Sequence, residues 1–308
     1  MLSTIFYLIM NMGITASVIG FALIILHRMK AIPRFGAYAL WSLVLVRLLI
    51  PFSFSSRVSL FNFTGSLIKK VVALSPLQHD GGLTISNAIG AADQYFPVVF
   101  KSEALKNLFD TAAIVWLIAA SAALIASTVL YALTASELKK AEPLGNNIYK
   151  TDMVSTPLVF GVFKQKIIIP SSLAGDEKGL GYVLIHEKVH IKRHDNLWRI
   201  ISVFIACIHW FNPFVWIFLR MFLSDMELAC DTGAIKKMSM EGRKEYAGTL
   251  LNYGSGQKIL MSTAFGCSKI KVRVMNVITY RKLTTLAFVF SILFITLITV
   301  VLLANPMK

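Results

Sequence analysis

Long apolar runs dominate the chain, and charge collects in the gaps between them. Residues 2–26 read LSTIFYLIMNMGITASVIGFALIIL and carry no charge. A helix needs about 20 apolar residues to cross a bilayer, so this run predicts a span. It is too long for the apolar core of a signal peptide and lacks a basic leader. It ends in His27, Arg28 and Lys30, which predicts a retained helix. A second run, 35–54, holds Arg47 and closes near Pro51. An arginine there is expected to snorkel to an interface or to pair inside a bundle. The third run, 111–133, carries Ala119, Ala120, Ala122 and Ala123, small residues that permit close helix packing. The fourth covers 283–303.

Four spans leave two long connections, 55–110 and 134–282. Within the second, 197–223 is apolar enough to resemble a span but is broken at His209, Asn212 and Pro213. Two half-length apolar helices folded about HWFNP would suit a hairpin that enters or lies on the membrane. The alternative is a core helix pair of a water-soluble domain. Alternation and turn residues in STPLVFGVFKQKIIIP, at 155–170, predict two strands. An open strand edge there could align an extended peptide by strand addition.

Composition agrees with a membrane protein. The 308 residues are 56% hydrophobic with net charge +15, and the mean hydropathy is +0.66. Lys and Arg gather in cytoplasmic loops, which accounts for the basic balance without direct nucleic-acid binding. The short 27–34 loop carries Arg28, Lys30 and Arg34 and no acid, so it is assigned to the cytoplasm. The N-terminus and 55–110 then lie outside, 134–282 lies inside, and the C-terminus lies outside. Three cysteines, Cys207, Cys230 and Cys267, form no CxxC and read as small core residues of a reducing compartment.

The chemistry sits in VLIHEKVH at 183–190. On a helix His186 and His190 are i and i+4 and share a face. Their nitrogens can take two corners of a Zn²⁺ tetrahedron, with Glu187 beside them as general base. A third histidine at the HExxHxxGxxH spacing would fall on position 196, which is Asn196. The stronger candidate is DMELACD at 225–231, where Glu227 can complete a His₂Glu site. Asp231, one turn on, can accept the second ring N–H of a ligand histidine. This pair resembles that of the thermolysin-like, gluzincin class of peptidases.

HEKVHIKRHDN, HWFNPFVW and DMELACD, in this order, resemble the BlaR/MecR antirepressor family of membrane metallopeptidases. RLLIP at 47–51, STPLVFG at 155–161, IIIP at 167–170 and YAGTLL at 246–251 extend the resemblance over most of the chain. It implies a cytoplasm-facing zinc endopeptidase with His186, His190 and Glu227 as ligands and Glu187 as base. It also implies cleavage of a cytoplasmic protein, such as a transcriptional repressor, and of the chain itself near 280–282. β-Lactam-sensing members carry a penicillin-binding domain after the last span, whereas this chain stops at Lys308. Two S-x-x-K matches, at Ser66 and Ser255, lack a surrounding domain and read as accidental. The expectation is either a truncated sensor or an input other than an acylating antibiotic.

The expected architecture is mainly α and polytopic. Residues 1–133 form a membrane region with three helices, 134–282 an inserted α+β gluzincin-like zinc peptidase domain, and 283–308 a last span. The bilayer and a cytoplasmic protein substrate are the expected partners, and the oligomeric state, homo-oligomer included, stays open. A membrane transducer that binds a partner without cutting it is the alternative function.

Overall fold

The computed structural model describes residues 2–28, 34–53, 55–56, 72–76, 84–85, 95–100, 103–253, 270–280, 285–303 and 305–306. The protein is mainly helical, with α1 (Leu2–Arg28), α2 (Arg34–Leu49) and α3 (Glu103–Leu138) ahead of a small sheet. Between α2 and α3, Val72–Pro76 pairs antiparallel with Tyr95–Phe100. The sheet comprises β1 (Glu142–Gly145), β2 (Ile148–Thr151), β3 (Leu158–Phe160) and β4 (Lys166–Pro170). Helices α4 (Glu177–Arg193), α5 (Asp195–Ile208), α6 (Pro213–Ile235), α7 (Met240–Tyr253), α8 (Ile270–Ile278) and α9 (Thr285–Leu303) follow.

Two helices are long and apolar enough to cross a membrane, over Leu2–His27 and Lys106–Leu138. The expected second and fourth spans give shorter apolar stretches, Ala37–Leu49 and Ile292–Val301. Helix α3 also runs beyond the expected 111–133 at both ends. The 254–269 and 281–284 segments, with Cys267, Ser255 and most of the self-cleavage region, lie outside the described residues, as does Ser66.

The chain divides into two compact units. One comprises Met1–Ala123, Ile205–Phe218 and Thr284–Lys308, and the other Leu124–Phe204 and Leu219–Leu283. In the first, the HWFNP turn packs among apolar helices through polar contacts. Asn212 donates through Nδ2 to Gly13 O at 3.1 Å and Ser17 Oγ at 3.0 Å. His209 Nε2 donates to Leu48 O at 3.0 Å, and Trp116 Nε1 donates to Ile208 O at 2.8 Å. Buried polar groups must be paired, so the polar break in 197–223 is where this hairpin is tied to α1 and α2. Gly20 lets the Phe218 ring lie against α1, because a Cβ there would overlap the ring. Arg47 is buried in this unit rather than extended to an interface.

In the second unit the sheet order is β1-β2-β4-β3. The strands read from LVF and KIIIP are β3 and β4, antiparallel with Val159 opposite Ile167. Pattern reading missed the β1–β2 hairpin. Its turn is written in Gly145, Asn146 and Asn147, all at positive φ, a conformation that Gly and Asn adopt most readily. The inner face of β4 and the Val183 side of α4 share one apolar cluster of Val159, Ile167, Ile169, Leu173 and Val183. That cluster fixes the sheet against the helix that carries the histidines.

Candidate metal centre

Helix α4 starts at Asp176, whose Oδ1 accepts from Gly179 N at 2.9 Å, a side-chain cap for an orphan N–H. Its buried residues, Gly179, Val183, His186, Glu187 and His190, form one stripe at helical spacing. Both histidines and Glu187 therefore face the interior. The helix ends at His194, which takes the left-handed conformation with φ 54° and ψ 37°. That break turns the chain so that Asp195, wholly buried, begins α5 beside His190. His194 itself is exposed and Asn196 is not at the site. Asn196 Nδ2 donates to Val159 O at 2.8 Å and Gly161 O at 3.0 Å. Those carbonyls on the β3 edge are thus already engaged by a side chain.

The ring nitrogens are sorted by their partners. His190 Nδ1 lies 2.7 Å from Asp195 Oδ2. A carboxylate only accepts, so Nδ1 carries the proton and Nε2 a lone pair. His186 Nδ1 lies 2.7 Å from Tyr246 Oη, and that hydroxyl donates to Asp231 Oδ1 at 2.7 Å. The chain His186 Nδ1–H to Tyr246 to Asp231 leaves a lone pair on His186 Nε2 as well, with Arg273 Nη2 3.3 Å away. Burial, then the charge of Asp231, holds the Tyr246 phenol well above its usual range, so it remains a donor.

The two Nε2 atoms face each other at 3.1 Å. Glu227, on α6, has Oε2 3.6 Å from His186 Nε2 and Oε1 3.6 Å from His190 Nε2. Two lone-pair nitrogens and a carboxylate converge on one point, a donor set suited to a metal cation. Two nitrogens bound at ~2.0–2.1 Å to a tetrahedral zinc lie ~3.3 Å apart. The observed edges fit that ion. Cys230 offers a further donor, since His186, His190 and Cys230 have ligand atoms all within 4.8 Å of one another. Its Sγ donates to His186 O at 3.3 Å.

Arginines frame the carboxylates. Arg273 on α8 donates from Nε to Asp231 Oδ2 at 2.8 Å and from Nη2 to Asp231 Oδ1 at 2.7 Å. Its Nη1 lies 3.3 Å from Glu227 Oε2, and its Nη2 lies 3.3 Å from His186 Nε2. Arg199 Nη2 donates to Glu227 Oε1 at 2.5 Å. Burial alone would raise the Glu227 carboxyl, but His190, whenever it is protonated, and the permanent charge of Arg273 outweigh it and hold it well below its usual range. For Asp231 burial is likewise overcome by Arg273, and the group stays ionised far below its usual range.

The structure thus brings His186, Glu187, His190, Glu227 and Asp231 into one buried region. Sequence reading did not find Asp195, Arg199, Cys230, Tyr246 or Arg273 as members. Asp195 was detectable only through the helix break at His194. Arg273 had a faint signal: it and Val277, i and i+4, are the buried residues of the short IKVRVMNVI helix.

Known proteins bear on this geometry. The chain is 28% identical over 165 residues to the regulatory protein BlaR1 of Bacillus licheniformis, covering 51% of this chain and 27% of that protein. It is 26% identical over 271 residues to the methicillin resistance mecR1 protein of Staphylococcus aureus strain Mu50, covering 78% of this chain and 45% of that protein. The chain spans less than half the length of these curated relatives. The family described as BlaR1 peptidase M56, a metal-dependent peptidase family, matches residues 7–277. That stretch takes in every side chain of the cluster, and the protein is a member of the BlaR1 peptidase M56 family.

Proposed function

We propose that the protein is a membrane-embedded zinc endopeptidase that cuts a cytoplasmic protein, in the manner of a signal transducer. The observation that carries this reading is the convergence of the two Nε2 atoms, 3.1 Å apart and each 3.6 Å from the Glu227 carboxylate. His186, His190 and Glu227 would hold the ion. When bound, zinc supplies a Lewis acid that polarises a peptide carbonyl and makes water more acidic.

The remaining work falls to this chain's residues. Asp195 fixes the tautomer of His190, and Tyr246 with Asp231 fixes that of His186, so both keep a lone pair for the ion. Glu187, next to His186 and buried, takes the proton of the attacking water and hands it to the leaving amine. Arg199 and Arg273 keep Glu227 ionised and oriented. Supported by the names of the relatives, a regulatory protein and a resistance protein, the substrate class proposed is a cytoplasmic regulator such as a repressor. The topology proposed puts the N- and C-termini outside and the peptidase region in the cytoplasm, following the basic 27–34 loop.

The test is metal content of the detergent-purified full chain, with cobalt substituted for zinc. One ion per chain is expected, lost in His186→Ala. The cobalt spectrum should lack a sulfur-to-metal charge-transfer band and change in Glu227→Gln. A strong band that disappears in Cys230→Ser would replace Glu227 by Cys230 as third ligand. Full metal retention in His186→Ala would overturn the centre.

A further inference from the structure

We infer that the tip of the β3–β4 hairpin, residues 161–165 led by Phe163, is a membrane anchor that dips into the lipid interface beside α3. The inference rests on reading α3 as a membrane span and goes beyond the peptidase assignment.

Phe163 is 99% exposed, an extreme value for a large aromatic ring on a strand-to-strand turn. The turn is built rather than slack. Gly161 has φ +93°, and a Cβ there would meet Lys164 O at 2.7 Å. Gly161 O also accepts from Asn196 Nδ2 at 3.0 Å. A fixed turn holds this ring out where transfer from water into lipid would be favourable.

The direction of β3 says which environment. Leu138, the last residue of α3, shares a buried cluster with Val154 and Ile168, and Leu158 packs on that cluster. Two residues along the strand, Phe160 adds to the cluster and stacks on Tyr131, with ring centroids 5.2 Å apart and planes at 19°. Tyr131 lies seven residues before Leu138, about 10 Å nearer the middle of α3 at 1.5 Å per residue. Strand β3 therefore advances along α3 toward its apolar centre. Phe163 is the third residue beyond Phe160, up to about 10 Å on at the strand rise. Phe163 then lies level with the turn of α3 around Ile125.

That part of α3 faces outward with apolar side chains: Ile125 is 64% and Leu133 57% exposed. In the span Lys106–Leu138 these are lipid-facing positions. Tyr131 holds the level expected of an interfacial aromatic. Beside Phe163, exposed Lys164 has the long stem that lets an ammonium reach headgroups from an apolar neighbourhood. An aromatic tip flanked by a lysine and buried about 5–10 Å past the headgroup boundary matches interfacial anchors in depth and chemistry. The consequence is a fixed height for the β3 edge, and for α4 behind it, relative to the lipid surface.

The test places an environment-sensitive fluorescent amino acid at Phe163 in one full-length chain and at Ile125 in another, each reconstituted into phosphatidylcholine–phosphatidylglycerol vesicles. Two quenchers are compared: lipids brominated at shallow acyl carbons, and aqueous iodide. The expected result is at least about twofold quenching of both probes by bromolipid and little by iodide. A Phe163 probe quenched by iodide and untouched by bromolipid, with the Ile125 probe still quenched by bromolipid, overturns the anchor and leaves α3 as a span. If the Ile125 probe also answers only to iodide, the span reading fails and takes the anchor with it. Neither outcome bears on the metal centre, which the metal-content measurement tests separately.

Discussion

Replacing Arg273 by methionine should cost this fold more than a typical core substitution, because it strands charge. Asp231 is fully buried and Arg273 nearly so, and two guanidinium donors reach the carboxylate at 2.7 and 2.8 Å. Methionine keeps much of the volume and removes the charge. Breaking a buried pair by deleting one partner costs about 3–5 kcal/mol. The lower part of that range is expected, since Asp231 retains the Tyr246 hydroxyl at 2.7 Å and Glu227 retains Arg199. The carboxylate can also escape by taking a proton, which limits the loss. Raising a carboxyl from ~3.9 to 7 costs about 4 kcal/mol at 1.36 kcal/mol per unit. For a unit of this size each kcal/mol moves Tm by about 4 °C, so a drop on the order of 12 °C is expected. The assay is thermal unfolding of the detergent-solubilised chain in chelator, where bound metal cannot mask the effect. Arg273→Met with Asp231→Asn should recover part of the loss, since both charges are then gone. A single variant that melts within about 2 °C of the parent would refute the claim that this pair holds α8 to α6.

Three further outcomes follow from the same contacts. Asp195→Asn should weaken zinc binding about 10–100-fold, because an amide can present N–H to His190 Nδ1 and no longer enforces its tautomer; chelator competition reads it, and unchanged affinity would remove Asp195 from the account. Asn212→Ala deletes two bonds from the hairpin turn to α1 and should destabilise by about 1–3 kcal/mol, seen as a lower Tm; a neutral effect would mean that the turn is not held there. Asp231 should make stability depend on acid. Its folded pKa lies below the unfolded value, so its contribution is present above pH ~4 and is lost as pH falls toward the folded value. Arg273→Met should move that loss upward in pH, and an unmoved acid limb in a pH series of Tm would contradict the assignment.

Much of the architecture was legible because its signals are local. The apolar runs gave α1 and α3, and the HExxH and ExxxD spacings put each pair on one helical face. The hairpin about HWFNP was legible as a polar break, yet its reason was not, since Asn212 is bonded to residues 195 and 199 positions away. The same holds for the centre. Asp195 reaches His190 only because His194 takes a left-handed conformation, and helix periodicity does not encode that. Arg273 arrives from 87 residues beyond His186, and a lone arginine in a short helix looks like any solvated one. Tyr246 stands in the YAGTLL motif, but its hydroxyl relay from His186 to Asp231 forms only where three separate helices meet. At the β3 edge Asn196 already engages the Val159 and Gly161 carbonyls, so a peptide strand added there would have to displace that side chain or use other groups.

The central claim is that this centre cuts peptide bonds with Glu187 moving the proton. It is tested most directly by Glu187→Gln, an almost isosteric change beside the ligands. The measurement is cleavage of a cytoplasmic substrate by purified chain of known metal content, the substrate being identified as a protein cut in cells only when Glu187 is intact. The account predicts one zinc per chain, an unchanged fold, and cleavage reduced by about 10²–10⁴-fold. Zinc-loaded Glu187→Gln that cleaves the substrate at the parental rate would contradict it.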